Sequence, residues 1–256
     1  MMNTVHTLWK TVLAMGCAGI AGCGLSTDSA KRRITEHYGE PCSVESVELS
    51  MGRGLHVAVA TLVSDPDIRF TTEFTREDNI ILRSNYPQMR WRAGYTRQVS
   101  SWLDATLGSV AFKTSFSSSA ESTVDPKRVP TFEELSSDPD SESSTVLRVH
   151  VFQARDAAWW ARMATIIQSH KAQGFTSSAF ELNFYDPGVF GGTKPDGARF
   201  GFDRSRKDDF ERLNHEHLQA RILFTLALAD PIPSPEDFEA ALDTQPNPYV
   251  VRPHGF

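Results

Sequence analysis

Two neighbouring stretches of this chain change character at every second residue, and that period decides what they can become. Leu55, Val57, Val59, Thr61 and Val63 interleave with His56, Ala58 and Ala60; Ile68, Phe70, Thr72 and Phe74 interleave with Arg69, Thr71 and Glu73. Successive side chains of a strand point to opposite faces, so each run reads as a half-buried strand. Ser64-Asp65-Pro66-Asp67 between them is turn chemistry. Val44 to Leu49 reads as a strand before them, ended by Met51-Gly52-Arg53-Gly54. Ile80-Ile81-Leu82 reads as a short fourth one after the turn at Glu77-Asp78-Asn79. The period then lengthens. Trp91, Tyr95, Val99, Trp102 and Leu103 fall at helical spacing, which predicts a helix from Gln88 to Leu107. Such an aromatic stripe is the face that packs on a sheet. With a first helix capped by Asp28 or Ser29 and stopped after Tyr38 by Gly39 and Pro41, residues 29–107 read α-β-β-β-α. The fold class is α+β, an antiparallel sheet covered by helices.

The rest of the chain predicts a second lobe. Val110, Phe112, Thr114 and Phe116 alternate as one more strand, assigned to the first lobe. Residues 117–144 are rich in Ser, Asp, Glu and Pro and read as a linker, with a capping box at Thr131-Phe132-Glu133-Glu134 for one short helix. Val146 to Phe152 is a strand. Asp156 is positioned to cap a helix to Gln173, with Trp160, Met163, Ile166 and Ile167 as its buried stripe. Phe180, Leu182 and Phe184 alternate next, which makes a β-α-β unit and a parallel strand pair. A long C-terminal helix is predicted from Ser205 to Ala229. The expected organisation is a leader over 1–22, a tether over 23–28, lobes over 29–116 and 145–229 around the linker, and a loosely held Pro-rich tail over 230–256.

Charge limits the partners. The 256 residues carry a formal net charge of −6 and no basic cluster of five, which disfavours nucleic acid. The segment after Gly22 has 25 basic and 32 acidic residues, a balance that anionic headgroups repel. A covalent anchor is then a better route to a membrane than surface charge. The first 22 residues hold one firm charge, Lys10, followed by the apolar or small run Thr11 to Gly22. That run is shorter than the roughly 20 residues needed to cross a hydrocarbon core, and has the length of a signal-peptide core.

Ile20-Ala21-Gly22-Cys23 resembles the lipobox of bacterial lipoproteins. The resemblance covers this tetrapeptide and the apolar run before it. It implies that the Cys23 thiol receives diacylglycerol, that the leader is cut just before it, and that the new amino end is open to acylation by a fatty acid such as palmitate. Ala14-Met15-Gly16 before Cys17 fits the pattern less well. Two or three acyl chains supply the double signal that stable anchoring requires. Gly24, rather than Asp, follows the cysteine, which in a Gram-negative cell implies export to the outer membrane.

Cysteine counting agrees. With Cys23 lipidated and Cys17 removed, Cys42 has no disulfide partner, and it reads as a small hydrophobe. Other constellations are weak. His215-Glu216-His217 places its histidines at i and i+2, about 200° apart on a helix, where they cannot share an ion. Asp138-Pro139-Asp140-Ser141-Glu142 has Ser143 where a calcium loop needs Gly and Val149 where it needs Glu. Asp186, Asp196 and Asp203 fall near predicted loops, the first two in turns. No dinucleotide or serine-hydrolase motif is present.

The expectation is therefore a membrane-anchored envelope lipoprotein exposed outside the cytoplasm. It is read as a non-enzymatic binding or assembly module for a protein, peptide or cell-wall ligand, with no metal or cofactor. The alternative is an envelope hydrolase acting on peptide or wall polymer at a site between the two lobes. An enzyme requires a pocket with clustered, buried Asp, Glu or His of perturbed acidity; a binding module requires a groove or patch without one.

Overall fold

The computed structural model describes residues 24–107, 110–138, 140–154, 158–190 and 218–238. In chain order the elements are α1 (Thr27–Tyr38), β1 (Cys42–Ser50), β2 (Leu55–Leu62), β3 (Arg69–Thr75), β4 (Ile81–Ser84), α2 (Tyr86–Thr106), β5 (Ala111–Ser118), α3 (Phe132–Ser136), β6 (Ser143–Val151), α4 (Trp159–Lys171), β7 (Ser177–Tyr185), α5 (Pro187–Phe190) and β8 (Leu218–Ala227). The fold is α+β, with two four-stranded sheets ordered β1-β2-β3-β4 and β5-β6-β7-β8. The chain divides into two compact units, Met1–Met89 with Pro126–Arg128, and Arg90–Asp125 with Val129–Phe256.

In the first unit every strand pair is antiparallel. Ser26 caps α1 by accepting from the Ser29 N–H at 3.2 Å. Gly39 ends it at φ 72°, its N–H donating to the Thr35 carbonyl. The helix thus starts ahead of the expected Asp28, and Leu25 before it is already buried. The tether expected over 23–28 ends at Gly24. The β2 alternation holds, but the small side chains face inward. His56, Ala58, Ala60 and Leu62 are buried, while Val57 and Val59 are half-exposed. In register with Ala60 and Ala58 lie Phe70 and Thr72. Phe70 meets Tyr38 and Tyr86 at ring separations of 6.2 and 5.0 Å, so this is the face that α1 covers. Small β2 residues let the helix and these rings approach the sheet.

In the second unit β5–β6 and β7–β8 are antiparallel, and β6–β7 is parallel across the α4 crossover. The core joins the α2 stripe of Trp91, Tyr95, Val99 and Leu103, the α4 stripe of Trp160, Met163, Ile166 and Ile167, and the inward residues of all four strands. Several expectations are corrected here. β5 hydrogen-bonds to β6 and so belongs to the second sheet, and the aromatic stripe of α2 packs in the second core. The stretch 117–144 is held by structure: the capping box at Thr131 and Glu134 is complete, and α3 buries Phe132 and Leu135. The long C-terminal helix is absent from the described part of its range, where Leu218–Ala227 forms β8 against β7. Residues 205–217 lie outside the described residues. The start of the tail is tied down: Lys171 Nζ donates to the Asp230 carbonyl, and Phe238 stacks on Trp160. Ala158 is the N-cap of α4 with no side-chain bond; Asp156, expected there, lies outside the described residues.

Candidate functional site

The inward and outward faces of the second sheet differ in chemistry. Leu147, Val149 and Val151 of β6, and Phe180, Leu182 and Phe184 of β7, point into the core. Alternation sends Arg148 and His150, and Glu181, Asn183 and Tyr185, to the other face. Register completes the assembly. Arg148 lies opposite Glu181, His150 opposite Asn183, and Asn183 opposite Arg221 of β8. On the other side Lys113 of β5 lies opposite Arg148.

These side chains form one network. Arg148 Nε donates to Glu181 Oε2 at 2.5 Å. Arg221 Nε donates to Asn183 Oδ1 at 2.7 Å and lies 3.5 Å from Glu181 Oε1. Asn183 Nδ2 donates to Glu181 Oε1 at 3.1 Å. Asn183 is fully buried and Glu181 nearly so, whereas the side chains of Arg148 and Arg221 keep 38% and 21% of their exposure. The carboxylate is therefore spent on fixing the two guanidinium groups. His150 Nδ1 and the Tyr185 hydroxyl are 3.1 Å apart, and Tyr185 stacks on Phe152. Burial first, then the charges of Arg148, Lys113 and Arg221, push the His150 pKa down to about 3. Burial raises the Tyr185 hydroxyl. At neutral pH His150 and Tyr185 are therefore both uncharged.

A second polar group lies within the core. His170 of α4 meets the Tyr95 hydroxyl through Nε2 at 2.5 Å and the Ser178 hydroxyl through Nδ1 at 3.1 Å. Thr145 donates to Ser178 Oγ. A serine hydroxyl beside an imidazole is the arrangement of an activated nucleophile. Here, however, His170 is wholly buried and Ser178 nearly so, with the rings of Phe175 and Phe180 about the imidazole. Burial pushes the His170 pKa down to about 3. The group satisfies core polar atoms and is closed to substrate.

Of the residues singled out from sequence, only some are described. Cys23, His215, Glu216, His217, Asp196 and Asp203 lie outside the described residues. Asp186 accepts from the Gly188 N–H at 2.8 Å at the start of α5, a turn bond. Asp138 accepts from the Asp140 N–H at 3.0 Å in the same manner. Cys42 is fully buried, its thiol beside Thr35 Oγ1 and the Lys31 carbonyl, and burial pushes its pKa up. Sequence reasoning missed the Arg148–Glu181–Asn183–Arg221 network. Its signal was an arginine, a glutamate and an asparagine at positions that alternate with the apolar Leu147, Val149, Phe180, Leu182 and Phe184.

Among solved structures, the chain is similar to the crystal structure of a DUF5037 family protein from Ruminococcus gnavus. The identity is 14% and the TM-score 0.49, over 86% of this chain and 99% of that one. No family model matches the chain, and no curated protein matches it.

Proposed function

We propose that this chain is a lipid-anchored protein of the cell envelope, held by Cys23 to the cell membrane or outer membrane and displayed outside the cytoplasm. Its body is a non-enzymatic binding module for a protein, peptide or cell-wall ligand, with the partly exposed Arg148 and Arg221 of the second sheet as the groups that meet the ligand. The observation that carries the anchor is Ile20-Ala21-Gly22-Cys23 at the end of a short uncharged run. Among the described residues, no helix is long and apolar enough to cross a membrane. Leu25 is buried, so Gly24 alone separates Cys23 from the folded body. A lipid on Cys23 would hold that body against the headgroups.

The use of the reactive groups among the described residues supports binding over catalysis. Both oxygens of Glu181 are occupied by Arg148, Asn183 and Arg221, His150 is held neutral, and the Ser178–His170 pair and the Cys42 thiol are sealed in cores. A general acid or base must be free to exchange a proton with its substrate. The anchor is tested by replacing Cys23 with Ser and growing cells with radioactive palmitate. The expected outcome is label and membrane retention in the parent and loss of both in Cys23→Ser; undiminished label would refute the anchor.

A further inference from the structure

We propose that Arg148 and Arg221, fixed on either side of Glu181, form a clamp for one oxyanion, a carboxylate or phosphate group borne by the ligand. The inference rests on the binding-module reading and names the chemical class that this surface takes. Among the described residues, each guanidinium is held through Nε, Arg148 by Glu181 and Arg221 by Asn183 and Glu181. A guanidinium carries five N–H donors, four of them on its terminal nitrogens in a planar fork. Among the described residues, none accepts a hydrogen bond from a terminal nitrogen of either arginine. Two forks with their outer edges unspent therefore flank one buried carboxylate.

Charge and preorganisation point the same way. Among the described residues, two guanidinium groups stand against one carboxylate, which leaves a positive excess. Both arginines are more than half removed from water, where a charge-assisted bond to an anion is stronger than at an open surface. The supporting residues stand on paired strands, and the buried Asn183 amide orients Arg221, so the forks are in place before a ligand arrives. A metal cation would meet the wrong sign of charge.

The test is calorimetric titration of the detergent-solubilised full chain with sodium phosphate and, separately, sodium acetate, with ionic strength held constant by sodium chloride. Saturable binding of either anion is expected, weakened by about tenfold or more in Arg221→Gln and in Arg148→Gln. Arg148→Lys and Arg221→Lys keep the charge that compensates Glu181 but lose the fork, so they are expected to fold and to bind more weakly than the parent. Saturation by phosphate alone assigns the group as phosphate, and by acetate alone as carboxylate. Heats no larger than those of chloride for both anions, or equal binding in parent and lysine variants, would overturn the clamp. Loss of the clamp with palmitate labelling intact removes this inference alone. Anion binding without lipid on Cys23 removes the envelope location and leaves the clamp standing.

Discussion

Gly94 occupies a position in α2 where no side chain fits: a Cβ there would lie 2.4 Å from the Cβ of Phe132. That close approach seats α3 in the second core. Gly94→Ala is expected to destabilise the protein by about 1–3 kcal/mol through overpacking, read as a lower urea midpoint with unchanged slope. The buried histidines make a different prediction. His150 and His170 have folded-state pKa values of about 3, below the ordinary 6.5. Between those values the unfolded chain binds protons that the folded one refuses. Their stabilising effect is therefore complete above the unfolded value and is lost as pH falls, by roughly 1.4 kcal/mol per pH unit for each histidine. His170→Gln keeps polar groups near Tyr95 and Ser178 but does not titrate. Its urea midpoint is expected to fall less between pH 7 and pH 5 than that of the parent; equal slopes would contradict the assignment.

At the scale of elements, β8 shows where pattern reading fails. Ile222 and Leu226 are four residues apart, a spacing that suits both a helix face and a strand face. Ala220 and Phe224 decide between them, because they join that set only with a period of two, and Phe224 does stack on Phe180 of β7 at 4.9 Å. The run is also made largely of good helix formers, and its strand identity comes from pairing with β7, which local propensity does not encode. Elements whose period was unambiguous were legible: α1, β2, β3, α2, the β6–α4–β7 unit and the α3 capping box. Carbon-α chemical shifts across 218–227 are expected below random-coil values, as in a strand; values above them would restore the helix. Thr131→Ala removes the cap of α3 and is expected to cost about 1 kcal/mol, read by urea denaturation.

For the whole molecule, the proposed anchor and the proposed anion clamp draw on the sequence in unequal ways. The anchor reading needs only a local word, Ile20 to Cys23, and a sequence can spell that directly. The arginine network could not be read in this way. Arg148, Glu181 and Arg221 are far apart in the chain and meet only through the β6–β7 and β7–β8 registers, one of which was hidden by reading β8 as helix. Assigning β5 to the first lobe also parted Lys113 from Arg148. The account depends most on the chemistry at residue 23. Intact-mass analysis of the chain extracted from membranes tests it directly. The predicted species begins at Cys23 and carries diacylglycerol in thioether linkage; a chain that keeps residues 1–22 and a free thiol at Cys23 would contradict it.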